Sequence, residues 1–479
     1  QWEQHAQLND NVAQKNLMEL ISESSQLSTF KQYLETTGWD SVLTRTKSYT
    51  VWAPNNTALE SLDEEIVNNE ERLNDFVSHH ITFSAYPYET PVALNNERGI
   101  KTSNGKYVSV DYSNYTFGEA SLVEPYDMAA NNGVLHIIDK AVVPKMNIWE
   151  YIESTDEAPR HTAYLTGLSE EIFDPEAAEQ TGVDPMTGKP VYDTTSGMVW
   201  SNNFINEVRD LRSEELLSTV LLIKDPVFDS EFAKFQPYFK MENTASADSL
   251  TSWQVCKDLV FNEKYEPGNV PGTLVSLYNV EVPFDQGAVV NSYEASNGMV
   301  YILDQCSVGL KDKIQTIIVE AEDTNRVIHK ALEGQHGQTR EKPLASGGYD
   351  FVLDNHAANP GNIKYQVGAV ASMTYRFSWV AVNDFNGSIR YPDESIQLSQ
   401  RLERIEKIGM MDEEPVFSEP VAISDFVPVT DSTYQTASED SLGQVLFFNY
   451  QKDLWLQVTG GGSNMAITLD YIKVEPIFD

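Results

Sequence analysis

Apolar positions near the start of the chain recur at helical spacing. Leu17, Leu20, Ile21, Leu27, Phe30 and Leu34 fall on one stripe, and Gly38 ends the run. The period then changes. Tyr49-Thr50-Val51-Trp52-Ala53 is a short β-prone run cut by Pro54, and Asn55-Asn56-Thr57 offers capping oxygens to a helix that starts near Ala58-Leu59. A further helix is predicted over roughly 69–80, with Leu73, Phe76 and Val77 on one face. Strands follow over 99–102, 107–112 and 115–123, with Asn104-Gly105 as the tightest hairpin signal. Gly133 to Pro144 reads as a β-branched core strand ended by proline.

The same order of elements returns in weaker form. A helix-like stretch over Phe204–Leu217 precedes Thr219-Val220-Leu221-Leu222-Ile223-Lys224-Asp225-Pro226. Trp253–Phe261 echoes Leu73–Phe83, with Lys257-Asp258 where His79-His80 stood. Ser296–Asp304 echoes the closing strand, with Tyr301 in place of His136. Residues 174–200, with Asp184-Pro185, Thr187-Gly188 and Lys189-Pro190, read as an irregular insertion. From residue 309 the helical period disappears. Short runs over 314–323, 348–353, 363–370, 374–383, 445–449, 454–459 and 464–476 predict an antiparallel sandwich, with Gly460-Gly461-Gly462 as a turn.

Composition narrows the functions. Acidic residues number 72 against 33 Lys plus Arg, a formal charge of −39, which repels a phosphate backbone and excludes a nucleic-acid partner. Apolar residues at 41% and aromatics at 11% exclude a disordered chain. Nothing approaches the run of about 20 apolar residues that a membrane-spanning helix needs. Cys256 and Cys306 allow one bridge or two free thiols. The eight histidines form no His-x-x-x-His pair, and there is no Cys-x-x-Cys, phosphate-binding loop or dinucleotide fingerprint. The chain therefore reads as a non-enzyme.

Three boxes in order carry a family resemblance. Thr50-Val51-Trp52-Ala53-Pro54-Asn55-Asn56-Thr57-Ala58-Leu59, then His79-His80, then Asn132-Gly133-Val134-Leu135-His136-Ile137-Ile138-Asp139-Lys140-Ala141-Val142-Val143-Pro144 resemble the motifs of fasciclin (FAS1) domains over about residues 8–146. The last segment is similar to family 6-like carbohydrate-binding jelly rolls through Ala321-Glu322, Met373-Thr374-Tyr375-Arg376-Phe377 and Leu469-Asp470-Tyr471-Ile472. The expected architecture is multidomain: α+β fasciclin-like domains at 1–146 and 147–308, then an all-β jelly-roll sandwich at 309–479.

The resemblances imply particular residues. Pro54, His80, His136 and Asp139 belong to the structural motif of the first domain, a ring nitrogen of His80 or His136 donating to a buried backbone carbonyl. In the jelly-roll family a glutamate of the opening strand and an aspartate of the closing strand hold a structural Ca²⁺, which carries over to Glu322 and Asp470. Glu320 alternates onto the same face and is added here. The competing reading is solvated acids on an acidic chain. Sugar contact needs aromatic faces and polar groups. Tyr391, Tyr434, Asn383 and Asn386 lie in loop-like stretches and suit it. Trp379 and Trp455 sit in alternating strands and divide between core and site.

The implied protein is a secreted or surface adhesion or binding protein that recognises a glycan or a surface protein. The domain combination resembles Bacteroidota outer-membrane lipoproteins, with a lipid anchor expected just upstream of Gln1. A purely structural protein–protein assembly module is the alternative, and a glycoside hydrolase stands third because no carboxylate pair is singled out.

Overall fold

The structure is a computed structural model that describes residues 15–89, 98–328, 336–354, 361–385, 397–411, 414–462 and 466–478. Their packing divides into two compact units. One takes the described residues of 1–222 with 260–270 and 289–303, and the other takes those of 223–259, 271–288 and 304–479. The division thus falls within the stretch 147–308. Cys256 and Cys306 are both free thiols.

In the first unit, strands Tyr49–Pro54 and Gly133–Ile138 form a parallel pair in the second and third places of a six-stranded sheet, with Tyr49 opposite Gly133. Both faces of this pair are covered, and residue alternation decides which side chain goes where. Val51, Ala53, Leu135 and Ile137 face the helical core of Leu17, Ile21, Phe30, Leu34, Phe76 and Val77. Trp52 and Ile138 point the other way, into a second cluster with Tyr88, Phe117 and Leu122. The first helical stripe is two helices, Leu17–Glu23 and Ser28–Thr36, separated by a 3-10 turn at Ser25–Leu27.

The later repeat in this unit reproduces the polar clasps of the first. Asn132 Nδ2 donates to the Leu43 and Arg45 carbonyls at 2.6 and 3.1 Å, and its Oδ1 accepts from Leu17 N–H at 2.9 Å. Asn297 does the same with Leu211, Ser213 and Ile148 at 2.8, 3.1 and 2.9 Å. The glycines that follow are obligatory. A Cβ on Gly133 would lie 2.1 Å from the Tyr49 carbonyl oxygen, and one on Gly298 would lie 1.9 Å from that of Ser218. Thr50 and Thr219 Oγ1 donate to the Ser84 and Glu263 carbonyls, each at 2.7 Å.

Two sequence expectations fail here. Only Asn203–Glu207 of the stretch 204–217 is helical, because the Asp210 carboxylate takes the Arg212 N–H and turns the chain instead. The insertion is ordered rather than irregular. Strand Ser169–Phe173 pairs with Met198–Asn202, and Gln180–Val183 pairs with Pro190–Tyr192 beyond them.

In the second unit the C-terminal strands form an all-β sandwich. A four-stranded sheet runs Ile317–Glu320, Tyr471–Pro476, Thr374–Val380, Asp440–Leu446. The other main sheet runs Val327–Ile328, Asn362–Val370, Gln451–Gly462, Leu398–Ile405, Val421–Ala422. A smaller one joins His336–Glu341, Tyr349–Asp354 and Ile467–Leu469. Gly460-Gly461-Gly462 is not a turn: these residues extend the strand Gln451–Gly462 and pair with Leu398, Ser399 and Gln400.

Candidate functional site

The opening and closing strands of the sandwich bring the proposed calcium ligands together. Ile317–Glu320 pairs antiparallel with Tyr471–Pro476, Glu320 opposite Tyr471, so Glu320, Glu322 and Asp470 collect at one end. The turn at Ser346 ties them: its Oγ donates to Glu320 Oε1 at 2.8 Å, and its N–H reaches Asp470 Oδ1 and Oδ2 at 2.9 and 3.2 Å. Two oxygens remain without protein partners, the buried Oε2 atoms of Glu320 and Glu322, and the buried Tyr365 hydroxyl is likewise unpaired. Burial, then the charges of Glu320, Glu322 and Asp350, push the Asp470 carboxyl up to about 6. Glu322 is also raised, by burial and then by Glu320 and Asp350. Two orphaned carboxylate oxygens beside a raised Asp470 carboxyl leave the acids of this cluster repelling one another. Among the described residues no group of three or more His, Cys, Asp and Glu side chains is placed to hold a metal ion.

Next to this cluster, Arg340 forks onto Asp350 at 2.9 and 2.6 Å and reaches Asp384 at 2.8 Å. Tyr434 donates its hydroxyl to Asp350 Oδ2 at 2.8 Å, so its polar end serves this network. Asn383 is buried and its N–H donates to the Asp431 carbonyl at 2.6 Å. Trp379 is 0% exposed in the strand Thr374–Val380, which spends both ring faces on the core and removes it as a stacking platform. Tyr391 and Asn386 lie outside the described residues.

Trp455 leads to a site that sequence reading missed. Ile363, Tyr365, Leu402, Leu456 and Val458 are buried on one face of the five-strand path. Register places the alternate residues in rows on the opposite face: Asn362, Thr459, Arg401, then Lys364, Gln457, Glu403, then Gln366, Trp455, Ile405. Glu403 is 1% exposed and fully engaged. Its Oε1 meets Arg401 Nη2 at 2.6 Å, and its Oε2 accepts from Gln457 at 2.9 Å and Thr459 at 2.5 Å. Rings frame this polar row. Phe417 stands edge-on to Trp455 at 5.0 Å. Phe426, 43% exposed, lies 4.9 Å from the Arg401 guanidinium and against Gly461, where a Cβ would come within 2.6 Å of the ring. The alternation in Leu398-Ser399-Gln400-Arg401-Leu402-Glu403 was the available signal.

The histidines of the first unit hold structure. His80 Nδ1 lies 2.8 Å from the Phe76 carbonyl oxygen, and its Nε2 lies 3.3 Å from the Val142 nitrogen, which donates to it. Burial depresses this ring to about 3. His136 Nε2 lies 3.0 Å from the Tyr86 carbonyl oxygen, and in the later repeat the Tyr301 hydroxyl donates to the Tyr265 carbonyl at 2.7 Å. Pro54 ends its strand opposite Ile138, and Asp139 Oδ1 accepts from Ser121 N–H at 2.8 Å. In the second unit, Asp258 is buried among Lys257, Ser276 and Lys313, with Lys313 in direct contact.

Comparison with known proteins places part of this chain. Residues 25–144 match the Fasciclin domain family, and this region is a fasciclin domain. Transforming growth factor-beta-induced protein ig-h3 of Sus scrofa is 28% identical over 135 residues, covering 27% of this chain and 19% of that protein. Periostin of Homo sapiens is 25% identical over 141 residues, covering 28% and 16%. The chain thus spans less than a fifth of either relative. Among solved structures, a FAS1 domain pair from the insect cell adhesion molecule fasciclin I aligns at 15% identity and a TM-score of 0.22, over 61% of this chain and 100% of that one. A family 35 carbohydrate-binding module from Clostridium thermocellum aligns at 17% and 0.22, over 34% and 99%.

Proposed function

We propose that the chain is a non-enzymatic, extracellular binding protein whose C-terminal sandwich recognises a glycan. Its parts are a fasciclin-like domain at 1–146, a divergent copy at 147–308 and the sandwich at 309–479. The observation that carries this is the exposed Phe426 ring beside the Arg401 guanidinium at the edge of the sheet, an aromatic surface next to a hydrogen-bond donor of the kind sugar recognition uses. A structural Ca²⁺ held by Glu320, Glu322 and Asp470 would neutralise the acid cluster and join the first sandwich strand to the last. Display as a bacterial surface lipoprotein is the finer part of the reading, and surface labelling of intact cells tests it.

The test is a broad glycan array probed with the full chain, with Ca²⁺ and with a chelator. A hit is expected that weakens when Ca²⁺ is removed and is lost in Phe426→Ala, a change at an exposed ring that leaves the melting temperature in place. A silent array would shift the reading to protein–protein assembly. One observation favours that second reading: Val183, Met186 and Val191 stand 57%, 95% and 45% exposed on the ordered insertion.

A further inference from the structure

Outside the sandwich, the second unit holds a groove of about 510 Å³ between helix Asp225–Phe235 and the segments 283–285 and 304–307. Small-molecule sites occupy roughly 300–1,000 Å³. Its walls follow from local sequence. Pro226 sits in the first turn of the helix, where its missing N–H is no loss, and Ser230 follows four residues later on the same face. Strand Glu281–Pro283 turns Val282 inward and leads into Phe284. Val227 and Phe284, both buried, make the floor. Cys306 adds to it: burial, then Glu231, push its thiol up to about 12, so it is a neutral wall and not a nucleophile.

The turn after Phe284 fixes two carboxylates at this groove. Gly287 N–H donates to Asp285 Oδ1 at 2.8 Å, Ala288 N–H to the Asp285 carbonyl at 3.0 Å, and Asp304 N–H to the Ala288 carbonyl at 3.0 Å. Asp285 and Asp304 thus line the same groove, and both are exposed. Among the described residues that line it there is no Lys, Arg or His. Lys234, the cation beside Ser307 at 3.2 Å, is already held by Glu231 at 2.6 Å and the Val308 carbonyl at 2.7 Å.

We propose that this groove binds a small organic cation, an amine on an apolar body, with the ammonium group at Asp285 and Asp304 and the body on Val227 and Phe284. An apolar floor beneath two carboxylates complements a ligand of that build. The formal charge of −39 draws cations to the whole surface without choosing among them, and the floor supplies the choice.

The experiment titrates the full chain, at physiological salt, with phenylbutylamine, the matching alcohol phenylbutanol, and butylamine, read by saturation-transfer NMR. Phenylbutylamine is expected to bind roughly fivefold more tightly than either, since the alcohol lacks the charge and butylamine lacks the apolar body. Asp285→Asn combined with Asp304→Asn should bring the amine down to the level of the alcohol. Ser230→Trp, which fills the groove from the helix, should weaken both aromatic ligands by about tenfold or more. Asparagine still accepts from the Gly287 N–H and Ser230 is exposed, so neither variant should move the melting temperature. Equal binding of amine and alcohol, or an amine affinity that the asparagine pair leaves unchanged, would overturn the selection for a cation. Affinity untouched by Ser230→Trp would put the ligand elsewhere and overturn the site. Butylamine binding as tightly as phenylbutylamine would reduce the effect to attraction by an acidic surface, and no binding of phenylbutylamine would remove the site; both overturn the proposal. The groove lies outside the sandwich, so none of these results bears on the glycan array.

Discussion

Asn132 shows how much one side chain decides in this chain. It has one acceptor and two donors, and it uses all three to fasten a helix start and a turn to the closing strand. Asn132→Ala would leave Leu17 N–H and two carbonyls unpaired near the core, at about 1 kcal/mol each, so a loss of roughly 3 kcal/mol is expected in urea unfolding. Asn132→Asp keeps the acceptor but aims carboxylate oxygen at two carbonyls, and should cost at least as much. The same substitutions at Asn297 should destabilise comparably, since its three bonds are equivalent. A cost below about 1 kcal/mol at either position would mean that the clasp is dispensable. The pairing of His136 with Tyr301 teaches a related lesson: the ring type changes, and the hydrogen bond to the facing carbonyl stays.

Elements were legible where residue type carries its own mechanism. Asn132-Gly133-Val134-Leu135 could be read because the glycine is sterically required and the leucine is buried in the core. The opening and closing strands of the sandwich were readable for similar reasons. Strand Leu398–Ile405 was not, since its outward residues Arg401 and Glu403 look like solvated charges until the register sets them beside Gln457 and Thr459. Gly460 to Gly462 looked like a turn because glycine marks turns, yet Gly461 is there to admit the Phe426 ring. The insertion misled in the opposite sense: its Asp-Pro and Thr-Gly pairs are turns, but turns that join strands. Its outer ribbon is closed at the base by Asp193 N–H donating to the Glu179 carbonyl at 2.8 Å. Replacing residues 180–192 by a two-residue turn should therefore leave the melting temperature of the chain within about 2 °C, because the removed surface packs on no core. A larger fall would show that the ribbon supports the fold rather than presenting a surface.

On the scale of the whole molecule, buried imidazoles and surface carboxylates set opposing pH trends, and the two can be separated. Burial lowers His79 to about 4, and His80 and His161 to about 3, so all three are neutral in the folded state at physiological pH. Their unfolded value is near 6.5. The unfolded chain therefore binds more protons as pH falls below 6.5, and the stability these rings contribute is full above that value and lost toward 4. Between pH 6.5 and 5 each ring should cost on the order of 2 kcal/mol. The carboxylates act in the other direction, because protonating some of the 72 acids relieves the repulsion behind a charge of −39. Asp470, raised to about 6, opposes the histidines within this window, but the relief from ordinary carboxylates starts lower, around 4, so the slope of three histidines should dominate from pH 6.5 to 5. Melting temperatures over that interval are expected to fall steadily, at a slope set by the imidazoles. In His80→Asn, which removes the lowest-titrating ring pair member next to His79, the melting temperature at pH 7.5 should drop while its further fall to pH 5 becomes shallower. An unchanged slope in that variant would assign the acid sensitivity to the carboxylates, and raising the salt concentration would then suppress it through screening.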